Sequence, residues 1–145
     1  MILYIHLYAL YLSDPQDHSC SGGNFYLSDQ PPDISKPPSV DPIPNGPLHA
    51  ASVILDNFMS SALEEEVGSL FVNAQEGTVI LTPLIELVHP QPTTPNHSDN
   101  LTDTGIFNSN IRQRLHKAID IIFYWVWEQL KQGHFLVYWC PGIEN

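Results

Sequence analysis

Seven of the thirteen prolines fall within the twenty residues from Ser28 to Pro47. Each proline removes a backbone donor and fixes φ at about −65°, so neither a helix nor a central strand can run through this stretch. Residues 28–47 therefore read as a long exposed loop, and regular structure has to lie on either side of it. A polyproline-type ligand segment would have a similar composition, but no basic-flanked PxxP motif is present, and the loop reading is preferred. A second stretch, His89-Pro-Gln-Pro-Thr-Thr-Pro95, forces another extended break.

Between these breaks the apolar residues set the elements. MILYIHLYALYL, residues 1–12, is the most apolar stretch. It is too short to cross a bilayer as a helix, and it lacks a basic n-region and a small-residue cleavage site. It reads as a buried first strand, with a weak secretory signal as the alternative. Gly22 to Ser28 follows a Ser/Gly turn as a second strand, and LHAASVILDNF (48–58) is a third. Ser61-Ala-Leu-Glu64 is a capping box, after which Leu63, Val67, Leu70, Phe71 and Ala74 share one helical face. On that wheel Glu65 points away from the core, while Glu64 and Glu66 border the apolar stripe. Glu64 is the capping acid, which leaves Glu66 without a structural role.

Gly77 interrupts the helical pattern. In TVILTPLIELV (78–88) the spacing of Leu81, Leu84, Ile85 and Val88 favours helix, with Pro83 in the first turn of a helix starting near Thr82. A short strand ends at Asp99, and Asp103 to Phe107 reads as a helical turn. A longer helix runs from about Arg112 to Gln132, burying Leu115, Ile119, Ile122, Val126 and Leu130, with Gly133 as its C′ residue. HFLVYWC (134–140) alternates as a closing strand. The order is three strands, helix, strand, helix, strand, which predicts an α/β domain with a mixed five-stranded sheet and helices packed on it.

The 145 residues suit a single domain, 1–145. Sixteen acids against five cations give a formal charge of −11, which opposes tight nucleic-acid binding because such affinity rests on neutralising phosphates. Three of the five cations, Arg112, Arg114 and Lys117, nevertheless fall together as a local basic patch. Cys20 and Cys140 form no CxxC pair; they could make one disulfide, but no zinc site or disulfide framework. The seven histidines are scattered, none at i, i+4 from another, and read as ordinary surface or loop residues. The sequons at Asn96 and Asn100 read as chance matches.

Three segments, SSALEEEVGSLFVNAQE (60–76), HPQPTTPNHSDNLTDTGIFN (89–108) and RQRLHKAIDIIFYWVWEQLKQGHFLVYWCPGIEN (112–145), together resemble the ribonuclease H domain of copia-type retrotransposon polyproteins. That family has a Ser-Ala-Glu-Ala-Glu-like helix motif, then a strand ending in Thr-Asp-Asn or Thr-Asp-Ser. A Lys-x-x-Asp helix and a Tyr-x-x-Pro-Gly-x-Glu-Asn-like strand end follow. The resemblance implies a ribonuclease H-like fold and an intracellular piece of a larger reverse transcriptase polyprotein, with no membrane association. It also implies cleavage of the RNA strand of RNA–DNA hybrids by two Mg²⁺ ions held by four carboxylates. On matching positions, the helix Glu is Glu66 and the strand-end Asp is Asp99, both metal ligands and catalytic; Arg112, Arg114 and Lys117 would contact nucleic acid.

Two acids of the family pattern are missing. His6-Leu-Tyr-Ala-Leu-Tyr11 stands where the family has His-Ser-Asp-Ala-Ser-Tyr, so Tyr8 occupies the position of the first-strand Asp. The fourth acid belongs to a Leu-Ala-Asp segment after Glu-Asn, and this chain ends at Asn145, so the domain reads as C-terminally truncated. Asp14, the nearest spare acid, sits at a turn-like Asp-Pro beyond the first strand. The family also has Arg or Lys where Ile122, Trp127 and Cys140 stand. The expectation is a degenerate copy with weak Mg²⁺ and hybrid binding and impaired or absent activity. Two alternatives are a non-catalytic ribonuclease H-like interaction module, using aromatics among Tyr124, Trp125 and Trp127, and a small secreted acidic protein.

Overall fold

The computed structural model describes residues 1–10, 12, 18–33, 35, 42–55, 61–99 and 117–139, with backbone alone at 117–119 and 139. The elements are β1 (Ile2–Leu10), β2 (Ser19–Ser28), β3 (Pro47–Leu55), α1 (Ala62–Glu86), β4 (Thr94–Ser98), α2 (Lys117–Lys131) and β5 (Phe135–Trp139). This is the order read from the sequence. The expected turn at 103–107, the start of the helix at Arg112, Asp14 and the end of the chain from Cys140 lie outside the described residues.

The sheet order is β3-β2-β1-β4-β5. β1 pairs antiparallel with β2, and β2 with β3, while β1–β4 and β4–β5 are parallel. The apolar N-terminal run is thus the central strand, and Leu3, Tyr4 and Ile5 are fully buried. A strand covered on both faces has no need of polar alternation, which is why this segment is apolar throughout.

One face carries the helices. Leu3, Ile5 and Leu7 pack there with Val67, Leu70 and Ala74 of α1, Val126 of α2, and Phe135 and Val137 of β5. The other face carries a row of rings crossing four strands. Tyr4 stacks on Tyr26, Tyr26 meets His6 edge-on, His6 meets His97 edge-on, and His97 stacks on Tyr138, with centroids 4.5–5.6 Å apart. His6 and His97 are therefore half-buried strand residues, not the surface or loop histidines expected. The two lie far apart in sequence, and only the parallel β1–β4 register, His6 beside His97, unites them.

α1 is one helix of 25 residues; it runs through Gly77, where an interruption was expected, and holds Pro83 in its interior, not in the first turn of a second helix. Gly77 is a contact point: a Cβ there would lie 2.6 Å from Ile5 Cδ1, so the absence of a side chain lets the helix close on β1. Pro83 lies inside the helix and cannot bond the carbonyl of Val79. Both residues are exposed, so water can satisfy that carbonyl. In α2, Ile122, Val126 and Leu130 face the core as expected. Trp125 packs edge-on against Phe71 at 5.1 Å, and Lys131 Nζ sits 3.7 Å over the Trp127 ring. Tyr124 is left half exposed.

Both helices end in the same hydrogen-bond pattern, with the N–H two residues beyond the cap reaching back five residues. In α2 these bonds are Gly133 N–H to Leu130 O and His134 N–H to Gln129 O; in α1 they are Val88 N–H to Ile85 O and His89 N–H to Leu84 O. The pattern places its C′ residue in the left-handed region, where glycine is favoured. Gly133 fits, at φ 74°, as expected; Val88 adopts φ 65° as a β-branched residue, 85% exposed. It lies beyond the helix, not on its buried stripe. Val88→Gly should raise stability by about 0.5–1 kcal/mol, the relief of left-handed strain outweighing the added freedom of the unfolded chain. The urea midpoint measures this, and a lower midpoint would contradict the strain at Val88.

Candidate functional site at the ends of the parallel strands

The position of α1 is fixed by a polar column where the helix meets β1 and β2. Asn73 Nδ2 donates to Ser21 Oγ (3.0 Å) and to Gly22 O (3.3 Å), and the Ser21 and Ser69 hydroxyls are 2.7 Å apart. Ser69 Oγ donates in turn to the carbonyl of Tyr8 (3.2 Å). All three side chains are buried. Gly23 makes room, since a Cβ there would overlap Asn73 Oδ1. Glu66, half-buried, lies on α1 three residues before Ser69 and four before Leu70.

The start of α1 is built as read. Ser61 is the N-cap, at φ −152° and ψ 156°, and its Oγ accepts from the Glu64 N–H at 3.3 Å. The acids that follow differ from the wheel. Glu65, expected to point away from the core, is only 2% exposed, whereas Glu66 is half-buried. The apolar stripe misled because it marks only part of the covered surface of α1, the part packed in the apolar core with the sheet and α2. Glu65 instead begins the i, i+4 column Glu65-Ser69-Asn73-Gly77, whose lower members touch the sheet. That column of small and polar residues is the signal that could have found it.

Burial has a consequence. Glu65 Oε1 has no hydrogen-bond partner among the described residues, and desolvation, with a smaller contribution from the neighbouring Glu66 charge, pushes the carboxyl from 4.5 up to about 7.

Asp99 follows the last residue of β4 and is exposed. β1 and β4 pair as Ile5 with Asn96 and His6 with His97. Continued along both strands, this register sets Tyr8 level with Asp99. Tyr8 is 44% exposed. Tyr8 and Asp99 thus lie toward the carboxyl ends of adjacent parallel strands, the usual ligand position in open α/β sheets, while Tyr8 alternates onto the face of Tyr4 and His6, away from α1 and its Glu66. Among the described residues no group of three or more His, Cys, Asp or Glu is placed to hold a metal ion. Of the expected basic patch, Arg112 and Arg114 lie outside the described residues, and Lys117 opens α2 with its side chain undescribed. Cys20 is a free thiol on β2.

Two measurements test this geometry. Glu65 is protonated in both states below pH 4.5; between 4.5 and about 7 it ionises in the unfolded chain alone, so its contribution to stability falls as pH rises through that window. Glu65→Gln should match the parent at pH 4 and exceed its stability at pH 8 by on the order of 1–3 kcal/mol, read from urea melts. A difference independent of pH would contradict the raised pKa. Gly23→Ala should destabilise by about 2 kcal/mol through displacement of Asn73, and adding Asn73→Ala should cost less than the sum of the two single changes. Strict additivity would mean that Gly23 and Asn73 are not coupled.

No family model matches the chain, and no curated protein sequence matches it. Among solved structures it is similar to the N-terminal RNase H domain of Rv2228c from Mycobacterium tuberculosis, solved as a fusion with maltose binding protein. The TM-score is 0.60 at 11% identity, covering 99% of this chain and 84% of that one. It is also similar to RNase H1 from the halophilic archaeon Halobacterium salinarum NRC-1, with a TM-score of 0.53 at 7% identity over 98% of this chain and 87% of that one. At such identities the likeness is one of fold: the chain has a ribonuclease H-like fold.

Proposed function

We propose that this chain is a retrotransposon-derived ribonuclease H-like domain of the copia type, in which hydrolysis of the RNA strand of RNA–DNA hybrids is lost or greatly reduced. What supports the reading is Tyr8 on β1, two residues past the His6–His97 pair, standing where the family pattern has its first-strand Asp. Two-metal hydrolysis needs one ion to activate water and another to stabilise the leaving oxygen, both held by carboxylates. Mg²⁺ takes hard oxygen ligands in near-octahedral geometry, and a neutral phenol in place of the first-strand Asp does not supply a bridge. The donor set therefore does not fit a pair of Mg²⁺ ions. The charge of −11 leaves Arg112, Arg114 and Lys117 to hold a hybrid, so that contact is weak and salt-sensitive. The domain belongs to an intracellular reverse transcriptase polyprotein on this reading.

A non-catalytic interaction module is less favoured. Stacking on bases needs successive free aromatic faces, and with Trp125 packed inward and Trp127 under Lys131, Tyr124 alone remains of the three. A cleaved secretory leader would remove β1, the centre of the sheet.

The test is cleavage of a labelled RNA–DNA hybrid with Mg²⁺. The parent should show no cleavage above that of a Glu66→Gln/Asp99→Asn variant. Tyr8→Asp with a Leu-Ala-Asp extension after Asn145 should raise the rate by about 10²-fold or more. Mg²⁺-dependent cleavage by the parent, abolished by Glu66→Ala or Asp99→Ala, would sink the proposal.

A further inference from the structure

β3 (Pro47–Leu55) is an edge strand of the sheet. Natural edges are guarded by charge, internal proline, bulges or short length, because their unpaired N–H and C=O groups template further pairing. β3 is nine residues long, and PLHAASVIL holds no Asp, Glu, Lys or Arg in a chain with sixteen acids. Its one proline is its first residue, and the irregularity in its ladder with β2 lies near that same end. Leu48, Val53 and Ile54 are 50%, 40% and 48% exposed.

We propose that β3 pairs antiparallel with β3 of a second copy of this chain, about a two-fold axis through Ala51. That axis sets Leu48 opposite Ile54, His49 opposite Val53 and Ala50 opposite Ser52. Opposed residues are an even number of positions apart, so they share a face of the pleat, as antiparallel pairing requires. Leu48 and Ile54 lie on the face opposite the helices, because Ala51 and Leu55 of the alternate set pack in the helix-side core. An axis through Ala50 would place Leu48 against Ser52 and Ile54 against Gly46. An axis through Ser52 would place Ile54 against Ala50. Ala51 alone among these pairs both large exposed apolar residues, twice over by symmetry.

Charge favours this edge as the meeting surface. Two copies at −11 repel each other, and a strand without acids is where they approach at least cost. Nine residues at about 3.4 Å each give a strip about 30 Å long, and a width of about 10 Å covers roughly 600 Å² over both copies, about half the area of a stable interface. The association is therefore reversible and rises with salt as repulsion is screened.

Sedimentation equilibrium of the full chain tests this, under reducing conditions so that the Cys20 thiol plays no part. The protein is followed from about 10 to about 500 µM, at about 50 and about 500 mM NaCl. The expected result is a monomer–dimer equilibrium, with dimer more abundant at the higher salt. Ile54→Lys and Leu48→Glu, at half-exposed positions, should each remain folded by circular dichroism and each weaken dimerisation at least tenfold. Together they set Lys against Glu across the axis and should restore the dimer, now weakened by salt. A monomer at every concentration, a dimer indifferent to both single changes, no rescue in the double variant, or open-ended polymers from β3 meeting another edge would each overturn the proposal.

Discussion

The close seat of α1 on β1 and β2 organises this domain. At the contact the helix presents Ser69, Asn73 and Gly77, and the sheet presents Ser21, Gly22 and Gly23. None is large, so the helix approaches more closely than a leucine face allows. The chain of donors runs from Asn73 to Ser21, to Ser69 and on to the carbonyl of Tyr8. A made hydrogen bond adds about 1 kcal/mol, whereas a buried group left without one costs about 1–3 kcal/mol. The column thus specifies one position for the helix more strongly than it stabilises the fold.

That seat decides the burial of the acids near the start of α1. It holds Glu65 buried and leaves Glu66 half-buried. A helix N-terminus favours a nearby carboxylate by about 0.3–1 kcal/mol, which is less than the desolvation that lifts Glu65 to about 7. Polar burial recurs on β4, where Asn96 lies between Ile5 and Val137 and neither atom of its amide has a partner among the described residues. The parallel half of the sheet therefore carries uncompensated polar groups, and its compactness rests on the apolar residues of β1, β5 and the two helices.

The elements were legible because their signals are local. Ser61 capped α1, and Gly133 ended α2. Of the candidate site, Glu66 lies on α1, Tyr8 on β1 and Asp99 one residue beyond β4. Glu65 was misread because the wheel weighed apolar residues alone, although the closest contact to the sheet is made by small and polar ones. Gly77 was read as a break, and Pro83 as part of the first turn of a second helix, because propensity is a local property. Packing against Ile5 turns the first into a contact, and solvent access at Val79 makes the second tolerable.

By itself the sequence determined the order of strands and helices, the capping of α1, and the absence of an acid at Tyr8, since each follows from residue type and short-range spacing. Only the tertiary structure decided that His6 and His97 join one row of rings, and that Glu65 is buried with its Oε1 unpartnered among the described residues. Each of these depends on a register between segments far apart in the chain, and register is set by packing whole elements together.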